Sequence, residues 1–359
     1  FYDRVGLKKL VEGEVDYDDL IKADKDFYKS KNIDLRLGVR ATDVNPEDKV
    51  VDTNDGDFSY DKLLIATGGE LRKLDLKGSD SKNVYYLWDL EDAKELDHDV
   101  EEGQKAVVVG GGFLGLEMAC SMRKRGLEVD YLVREDHWGV HCVSPQAASL
   151  ITSDVEDQGV RFHTNTEVED IVTENQEVDR VVTNSGEFEC DALIICIGLS
   201  RNVDFLKGSG IETDSGVLTD EYLETNKEDV YAAGDVAEYY DPLLGHRMMN
   251  GSWPSAKRQG DIAGINMVDE KHEFRFVNSH VINHFDLTIM TLGDVWINQE
   301  KETYTEVEGN SCIQVVTEDE NVVGAVLVND LSSVSKVKKA VKGCERIEET
   351  DILEDVTEK

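Results

Sequence analysis

The most informative motif of this sequence consists of three closely spaced glycines. Gly110, Gly112 and Gly115 are spaced G-x-G-x-x-G directly after the apolar run of residues 106–109, with Phe113 and Leu114 between the last two. In such a turn one glycine permits a tight bend, one lets the backbone approach a pyrophosphate, and one lets a helix pack on the strand. The N–H groups that open the helix have no partners inside it and bind the phosphate oxygens. The spacing therefore indicates a dinucleotide-binding turn.

The elements around this turn are those that a dinucleotide site requires. The pattern predicts a buried parallel strand at residues 106–109, a helix at residues 116–125 and a second strand at residues 128–133. A plain glycine turn without a ligand is the alternative, because G-x-G-x-x-G alone is a weak signal. The strand before the turn and the helix and strand after it favour nucleotide binding.

Other strand-like runs also end in glycine motifs. A-T-G-G at residues 66–69 follows a predicted strand, A-A-G-D-V-A at residues 232–237 ends another, and a third strand at residues 192–197 ends at Gly198. Together with the first turn, these motifs resemble the two-dinucleotide-binding flavoproteins, the FAD-dependent pyridine nucleotide–disulfide oxidoreductase superfamily. The resemblance covers about residues 1–292. It is nearest to the branch of apoptosis-inducing factor, the ferredoxin and rubredoxin reductases and the NAD(P)H nitrite reductase flavoprotein, whose Y-x-R-x-x-L-x-K motif residues 2–9 match.

The resemblance implies an FAD site made from separate parts of the chain. Asp235 would accept a hydrogen bond from an FAD ribityl hydroxyl, and Gly234 would let the backbone approach the cofactor. Thr67 and Gly68 would close over the FAD diphosphate. Arg4, the arginine of the Y-x-R motif, would join the cofactor-binding residues.

The resemblance also implies a charged pair beside the reacting ring. Lys9 would lie near flavin N5 and pair with Glu117, since a desolvated carboxylate in a first helical turn favours a cation and a lysine there stabilises reduced flavin. Trp253, at the start of a helix predicted to run to Met267, would cover one end of the isoalloxazine, and the Gly198 loop would adjoin the nicotinamide. The alternatives are an ordinary first-turn glutamate, a helix-surface lysine and a core or lid aromatic.

The end of the second strand should distinguish NADH from NADPH. A carboxylate there binds the ribose of NAD, whereas an arginine accommodates the 2′-phosphate of NADP. Val133 occupies the usual carboxylate position and is followed by Arg134 and Glu135. By resemblance Arg134 suits NADPH and Glu135 suits NADH, while the two side chains could also pair with each other on the surface. We therefore expect NAD(P)H without choosing between the two.

Two departures from the family pattern affect the expected electron path. The family's first FAD-binding strand and its glycine motif precede Y-x-R by about thirty to forty residues, the length of a βαβ unit, and are missing from this sequence. We expect an N-terminally incomplete chain or an FAD site without that cradle, and the start at Phe1 rather than Met favours the former. The disulfide-reducing branch carries a cysteine where this chain has residues 1–7. None is there, so electrons should leave directly from the flavin.

The predicted fold class is α/β, with two Rossmann-like three-layer (ββα) dinucleotide-binding domains plus a small C-terminal α+β domain. Residues 1–81 would form the first part of the FAD domain, lacking its first βαβ unit, and residues 204–274 its second part. Residues 82–203 would bind NAD(P), and residues 275–359 would form an interface domain. Near the N-terminus we expect a helix at residues 17–29 and strands at 34–41, 50–52 and 57–60. In the C-terminal domain we expect strands at 287–292, 311–317 and 322–328 and a helix at 334–342.

Composition limits the classes of partner. Lys and Arg number 38 against 76 Asp and Glu, a formal net charge of −38 that is spread along the chain. We interpret it as the solvated acidic surface of a halophilic protein, which disfavours nucleic acid and anionic membranes. The six cysteines include no C-x-x-C pair, so small buried thiols of a reducing compartment are expected rather than disulfides or metal ligands. With no apolar run of about 18 residues, we expect a cytoplasmic protein without a membrane span.

The favoured hypothesis is an enzyme that transfers hydride from NAD(P)H to FAD and passes electrons to an acceptor. The acceptor could be a ferredoxin, a rubredoxin, a sulfite- or nitrite-reducing partner, a quinone or oxygen. One alternative is a weakly catalytic NAD(P)H sensor, similar to apoptosis-inducing factor, that acts through a change of partner or dimer state. Another is a nucleotide-binding scaffold without FAD. A homodimer formed through the C-terminal domain is a further expectation.

Overall fold

The first part of the chain combines short helices with an antiparallel meander. A computed structural model describes residues 1–268 and 271–353. Its first elements are α1 (Leu7–Val11), α2 (Tyr17–Leu20), α3 (Lys25–Ser30), β1 (Ala41–Asn45), β2 (Val50–Thr53), β3 (Gly56–Ser59), β4 (Leu63–Ile65), β5 (Glu70–Leu71) and β6 (Val84–Tyr85). Strands β1, β2 and β3 form the meander, whose hairpin lies at the predicted Asn-Asp-Gly turn.

Two predictions for this part are wrong. The single helix predicted at residues 17–29 is divided, because Ile21 is extended (ψ 117°) and Asp24 begins a new helix by accepting a hydrogen bond from the Phe27 N–H (2.9 Å). The strand predicted at residues 34–41 is not formed, and the first strand starts at Ala41. Gly38 has a φ of +73°, a left-handed conformation that interrupts an extended chain.

The middle of the chain forms a three-layer unit around a parallel sheet. Its elements are α4 (Leu90–Asp99), β7 (Lys105–Val109), α5 (Phe113–Lys124), β8 (Glu128–Leu132), α6 (Pro145–Asp157), β9 (Val160–His163), β10 (Val168–Glu174), β11 (Glu177–Thr183), β12 (Gly186–Glu189), β13 (Ala192–Ile195) and β14 (Leu199–Ser200). The parallel sheet has the order β6-β13-β7-β8-β9. Alternate residues of β7 face opposite layers: Val107 packs with the β10–β12 meander, and Val108 packs with α5.

The last part contributes a strand that pairs with β4 of the first part, and it then builds an antiparallel sheet. Its elements are β15 (Val217–Thr219), β16 (Val230–Ala232), β17 (Ala237–Asp241), β18 (His246–Met248), α7 (Trp253–Asn266), β19 (Ser279–His284), β20 (Leu287–Gly293), β21 (Lys301–Glu308), β22 (Ser311–Glu318), β23 (Asn321–Val328) and α8 (Val334–Gly343). Strand β16 pairs in parallel with β4. The antiparallel sheet has the order β19-β20-β23-β22-β21, and α8 packs on it. The predicted α/β fold class is confirmed.

Strands β19 and β21 were not predicted. They are the two edges of the C-terminal sheet. Each has one neighbour and an exposed side, so each contains many polar residues and lacks the apolar run that marked the other strands.

One hydrophobic core joins the parts of the molecule at helix α5. Buried residues of α1, α4, α5 and α6 belong to the same cluster as Ile282, Leu287 and Ile289 of the C-terminal sheet. Because α5 starts at the glycine turn, the turn lies where these parts meet.

All six cysteines are free, and five are buried. The expectation of a small buried residue is wrong for Cys344, which is exposed because it ends α8 in a left-handed conformation at the surface. Across residues 1–268 and 271–353, no helix has the length and apolar character needed to cross a bilayer. The same residues contain no group of three or more His, Cys, Asp or Glu side chains placed to hold a metal ion.

Candidate active site

Each glycine of the first turn meets a different steric requirement. Gly110 has a φ of +126°, and a Cβ there would lie 2.1 Å from the carbonyl oxygen of Cys196. A Cβ on Gly115 would lie 2.0 Å from the Gly110 carbonyl oxygen. Around the corresponding position on Gly112, no atom of the described residues lies within 4 Å, apart from those of Gly112 and its two chain neighbours. Two glycines therefore permit close packing, and the third leaves space for a ligand.

The N-terminus of α5 is open to an anion. The helix begins at Phe113, three residues earlier than predicted, and Gly112 is its N-cap. Because glycine has no side chain, it accepts no hydrogen bond from the first N–H groups, which include that of Leu114. These groups and the positive end of the helix dipole can therefore interact with a phosphate.

Two aromatic side chains that the sequence did not single out hold the carbonyl groups of the turn. The Tyr131 hydroxyl donates to the Gly110 carbonyl oxygen (2.8 Å), and the Trp138 indole N–H donates to that of Gly112 (3.3 Å). Both rings are fully buried. No local pattern marks them, because they reach the turn only when β8 and the loop after it pack beside α5.

The residues after β8 pair with each other. Arg134 Nη2 lies 3.0 Å from Glu135 Oε1, which is the surface pairing left open by the sequence. The Arg134 side chain is exposed, whereas Glu135 lies against Gly111, with Oε2 3.1 Å from the position of a Cβ there. Val133 is fully buried. The choice between NADH and NADPH stays a prediction.

The A-T-G-G and A-A-G-D-V-A motifs leave the sheet side by side. Since β4 and β16 are parallel neighbours, the residues that follow them emerge at one edge, Thr67 and Gly68 beside Gly234 and Asp235. Gly68 has a φ of +66° and faces open space, and Gly234 has a φ of +82°. Both backbones thus adopt conformations that favour glycine.

The Asp235 carboxyl group is the candidate acceptor for a cofactor hydroxyl. It is partly buried, and no described residue donates a hydrogen bond to its side chain. Burial raises the pKa of this carboxyl, and the positive charges of Arg201 and Arg4 oppose that rise. A hydroxyl donor would stabilise the carboxylate. The site therefore fits the ribityl hydroxyl expected of FAD.

Helix α7 begins at the same edge of the sheet. Trp253 is its first residue and is 43% exposed, which leaves the indole able to cover a ligand. Ser252 caps the helix by accepting a hydrogen bond from the Ser255 N–H. The Gln259 Oε1 atom accepts a hydrogen bond from the Gly234 N–H (2.7 Å), which fastens α7 to the turn that carries Asp235.

A short segment connects the two turns. Gly198 follows β13, the strand beside β7, and has a φ of +96° with open space at its Cβ position. Three residues further on, the Arg201 Nε–H donates to the Asp235 carbonyl oxygen (3.1 Å). The two predicted nucleotide sites are therefore adjacent. Arg4 also belongs to this region, where its guanidinium stacks over the Trp88 ring, 4.3 Å from the centroid.

The predicted pairing of Lys9 with Glu117 is wrong. The partner of Glu117 is Lys8, whose Nζ lies 3.7 Å from Oε1 and also donates to the Asn283 carbonyl oxygen of β19 (2.7 Å). Burial raises the pKa of the Glu117 carboxyl, and Lys8 opposes that rise.

The geometry of α1 explains which lysine pairs. This helix buries the face formed by Leu7, Leu10 and Val11. Successive helical residues differ by about 100°, so Lys8 lies at the border of the buried face and Lys9 points away from it. The Y-x-R-x-x-L-x-K motif identified the helix, but the packing of α1 decides that Lys8 rather than Lys9 pairs with Glu117.

Comparisons with known proteins agree with this geometry. The profile of the pyridine nucleotide-disulphide oxidoreductase family matches residues 1–260. The 3-phenylpropionate/cinnamic acid dioxygenase ferredoxin–NAD(+) reductase component of Photorhabdus laumondii is 28% identical over 316 residues, covering 88% of this chain and 80% of that protein. The NADH-rubredoxin oxidoreductase of Clostridium acetobutylicum is 25% identical over 342 residues, covering 95% and 85%. A solved ferredoxin reductase from Rhodopseudomonas palustris has a TM-score of 0.87 at 22% identity, over 96% of this chain and 86% of that chain.

The fold and the adjacent glycine turns define a reductase built around two nucleotides. The chain belongs to the pyridine nucleotide-disulphide oxidoreductase family, as its sequence motifs indicated. It is an FAD-dependent NAD(P)H oxidoreductase.

Proposed function

We propose that the protein transfers hydride from NAD(P)H to FAD and passes the electrons to a small redox protein of the ferredoxin or rubredoxin type, without a redox-active disulfide. This proposal rests on one observation: the glycine turn, the Gly198 segment and Asp235 lie next to each other. Nucleotides bound at the two turns would meet end to end. Their reacting rings would then be held together at high effective concentration.

The chain's own residues bind and orient the two nucleotides. The N–H groups of Gly112 and Phe113 would bind the pyrophosphate of NAD(P)H, and Asp235 would hold the ribityl chain. Trp253 would cover the end of the ring system and exclude water. FAD, when bound, supplies the chemistry that accepts two electrons together and releases them one at a time.

The charged pair tunes the junction between the two sites. Glu117 lies in the first turns of α5, two residues after Gly115, and Lys8 adjoins it from α1. Lys8 would stabilise negative charge on the reduced ring, and Glu117 would hold Lys8 in place. These roles rest on the contacts of the two side chains with each other and with Asn283.

The thiols argue against a dithiol relay. All six cysteines are free, and burial raises the pKa of Cys120, Cys142, Cys190 and Cys196 to about 12 each. A thiolate is the reactive species, so such thiols are poor nucleophiles at neutral pH. The names of the relatives, a ferredoxin–NAD(+) reductase component and an NADH-rubredoxin oxidoreductase, support a one-electron protein acceptor instead.

Stopped-flow spectroscopy of the FAD-loaded protein tests the proposal. We expect NADH or NADPH to bleach the flavin and a ferredoxin or a rubredoxin to restore its colour, whereas oxidised glutathione leaves it reduced. The variant Cys120→Ala, which removes a buried thiol of α5, should behave as the parent protein does. A flavin that is not reduced, or one reoxidised fastest by the disulfide, would contradict the proposal. Slow reoxidation by every acceptor would favour the weakly catalytic sensor.

A further inference from the structure

The glycine turn is supported from behind by the loop between β8 and α6. Residues 136–144 of this loop are here called the buttress loop. Within it, the Gly139 N–H donates to the Gly111 carbonyl oxygen (3.2 Å), and the Trp138 indole donates to that of Gly112 (3.3 Å). The Trp138 ring also packs edge-on against Phe113, with centroids 5.6 Å apart.

These contacts set the direction of the N–H groups that face a phosphate. In a trans peptide the carbonyl of one residue and the N–H of the next point in opposite directions. Holding the Gly111 carbonyl against Gly139 therefore turns the Gly112 N–H away from the buttress loop. Holding the Gly112 carbonyl against Trp138 does the same for the Phe113 N–H. The loop thus aims the donors of the turn outward.

The buttress loop is in turn held by the C-terminal sheet. Gln314 of β22 is fully buried, and its amide makes two hydrogen bonds to the loop backbone: Oε1 accepts from the Ser144 N–H (2.6 Å), and Nε2 donates to the Cys142 carbonyl oxygen (3.1 Å). The N–H groups of Cys142 and Val143 both donate to the Gly139 carbonyl oxygen (2.8 Å each). Two backbone hydrogen bonds, from Cys142 to Gly139 and from Gly139 to Gly111, therefore connect the loop residues that Gln314 holds with the glycine turn.

Two further bonds strengthen this junction. The Ile297 N–H donates to the His141 carbonyl oxygen (2.8 Å), and the Thr305 hydroxyl donates to the Ser144 hydroxyl (2.9 Å). Gln314 differs from Ile297 and Thr305 because its side chain alone pairs both a backbone N–H and a backbone carbonyl group of the loop, and because it is fully buried. Removing it leaves both groups unpaired, which is costly in a buried environment.

We propose that Gln314 is a positioning residue for NAD(P)H: through the buttress loop, the C-terminal sheet sets the orientation of the backbone donors that bind the dinucleotide pyrophosphate. The inference rests on the proposed function for the location of the nucleotide. It assigns to the C-terminal domain a part in nucleotide affinity, in addition to any contact with partners.

The test measures binding of ADP-ribose and 2′-phospho-ADP-ribose to the FAD-loaded protein by calorimetry. These probes carry the pyrophosphate but no nicotinamide, so they report on the glycine turn without flavin reduction. We expect Gln314→Leu to weaken the better-bound probe by about tenfold, the equivalent of about 1.4 kcal/mol. The KM for NAD(P)H should rise similarly, while the flavin reduction rate at saturation stays within about twofold of the parent rate.

The variant Gln314→Glu provides a test that a general loss of packing would not reproduce. A protonated glutamate can donate to Cys142 and accept from Ser144, as the amide does, whereas a carboxylate faces the Cys142 carbonyl with like partial charge. We expect its probe affinity to approach that of the parent protein as the pH falls from about 9 to about 6. The affinity of Gln314→Leu relative to the parent should not change over this range.

The matched control is Thr317→Val, at another fully buried polar residue of β22, whose side chain makes no hydrogen bond to the buttress loop among the described residues. Its probe affinity should equal that of the parent. Unchanged affinity in Gln314→Leu would overturn the inference, as would a Gln314→Glu variant without recovery at low pH. A parent protein that binds neither probe would instead overturn the proposed nucleotide site.

Discussion

Replacing Lys8 by Met should separate the two adjacent lysines by their effect on flavin reduction. Lys8 Nζ lies 3.7 Å from Glu117 Oε1, and the two side chains are 22% and 19% exposed. At this distance and an effective dielectric constant of about 20, two unit charges attract by about 4 kcal/mol. Water screens part of this attraction because both side chains are partly exposed, so we expect a coupling energy of about 1–2 kcal/mol between Lys8 and Glu117. Methionine keeps the apolar stem and removes the charge.

The assay is the rate of flavin bleaching by NADH in a stopped-flow instrument. If Lys8 stabilises the charge that develops on the flavin by a similar amount, losing about 1.4 kcal/mol from the transition state corresponds to a rate about tenfold slower for Lys8→Met. Lys9→Met is the matched control and should stay within about twofold of the parent rate. Because Lys8 opposes the rise in the pKa of Glu117, its removal should also move the limb of the pH profile that depends on Glu117 to higher pH.

A double-mutant cycle with Glu117→Gln completes the experiment. If the two side chains act together, Lys8→Met should have little further effect once Glu117 is neutral, whereas the effect of Lys9→Met should simply add. A slow Lys9→Met variant beside an unaffected Lys8→Met variant would refute the reasoning and restore the pairing expected from the motif.

Three other outcomes follow from the structure. Gly115→Ala should prevent folding or lower the melting temperature strongly, because its Cβ would lie 2.0 Å from the Gly110 carbonyl oxygen. Gly112→Ala has room for its Cβ, so it should melt as the parent protein does and yet bind ADP-ribose more weakly. Equal melting temperatures for the two variants would contradict this prediction. His246, 3.0 Å from Asp294, has a raised pKa because of that partner. Its stabilisation should be present below pH 6.5 and lost as the pH rises through the raised pKa. Urea unfolding of His246→Gln should therefore differ from that of the parent protein more at low than at high pH. With a formal charge of −38, electron transfer to an acidic ferredoxin should become faster as salt is added, and a rate that falls with salt would indicate a basic docking face.

Local patterns were sufficient for the parts of the site that depend on the backbone. The G-x-G-x-x-G spacing predicted a strand, a turn and a helix, since steric limits at Gly110 and Gly115 leave few other residues for those positions. The glycines after β4 and β16 predicted a second turn, because Gly68 and Gly234 adopt a positive φ that favours glycine. The boundaries were less accurate, because α5 starts at Phe113, directly after its N-cap Gly112, rather than at Leu116.

Side-chain partners depended on the tertiary structure. A helical motif places Lys8 and Lys9 next to each other, but the packing of α1 on α5 and β19 decides which of them reaches Glu117. Strands β19 and β21 are stabilised by their neighbours in the sheet rather than by an apolar run of their own. Their positions could therefore not be read from local pattern.

The sequence by itself determined the class of protein and the positions of its two glycine turns, because backbone conformation restricts which residue types can occupy them. Only the tertiary structure decided that Tyr131 and Trp138 hold the first turn and that Gln314 of the C-terminal sheet holds the loop behind it. These contacts join segments far apart in the chain, and a hydrogen bond between distant residues produces no local pattern in the sequence from which it could be predicted.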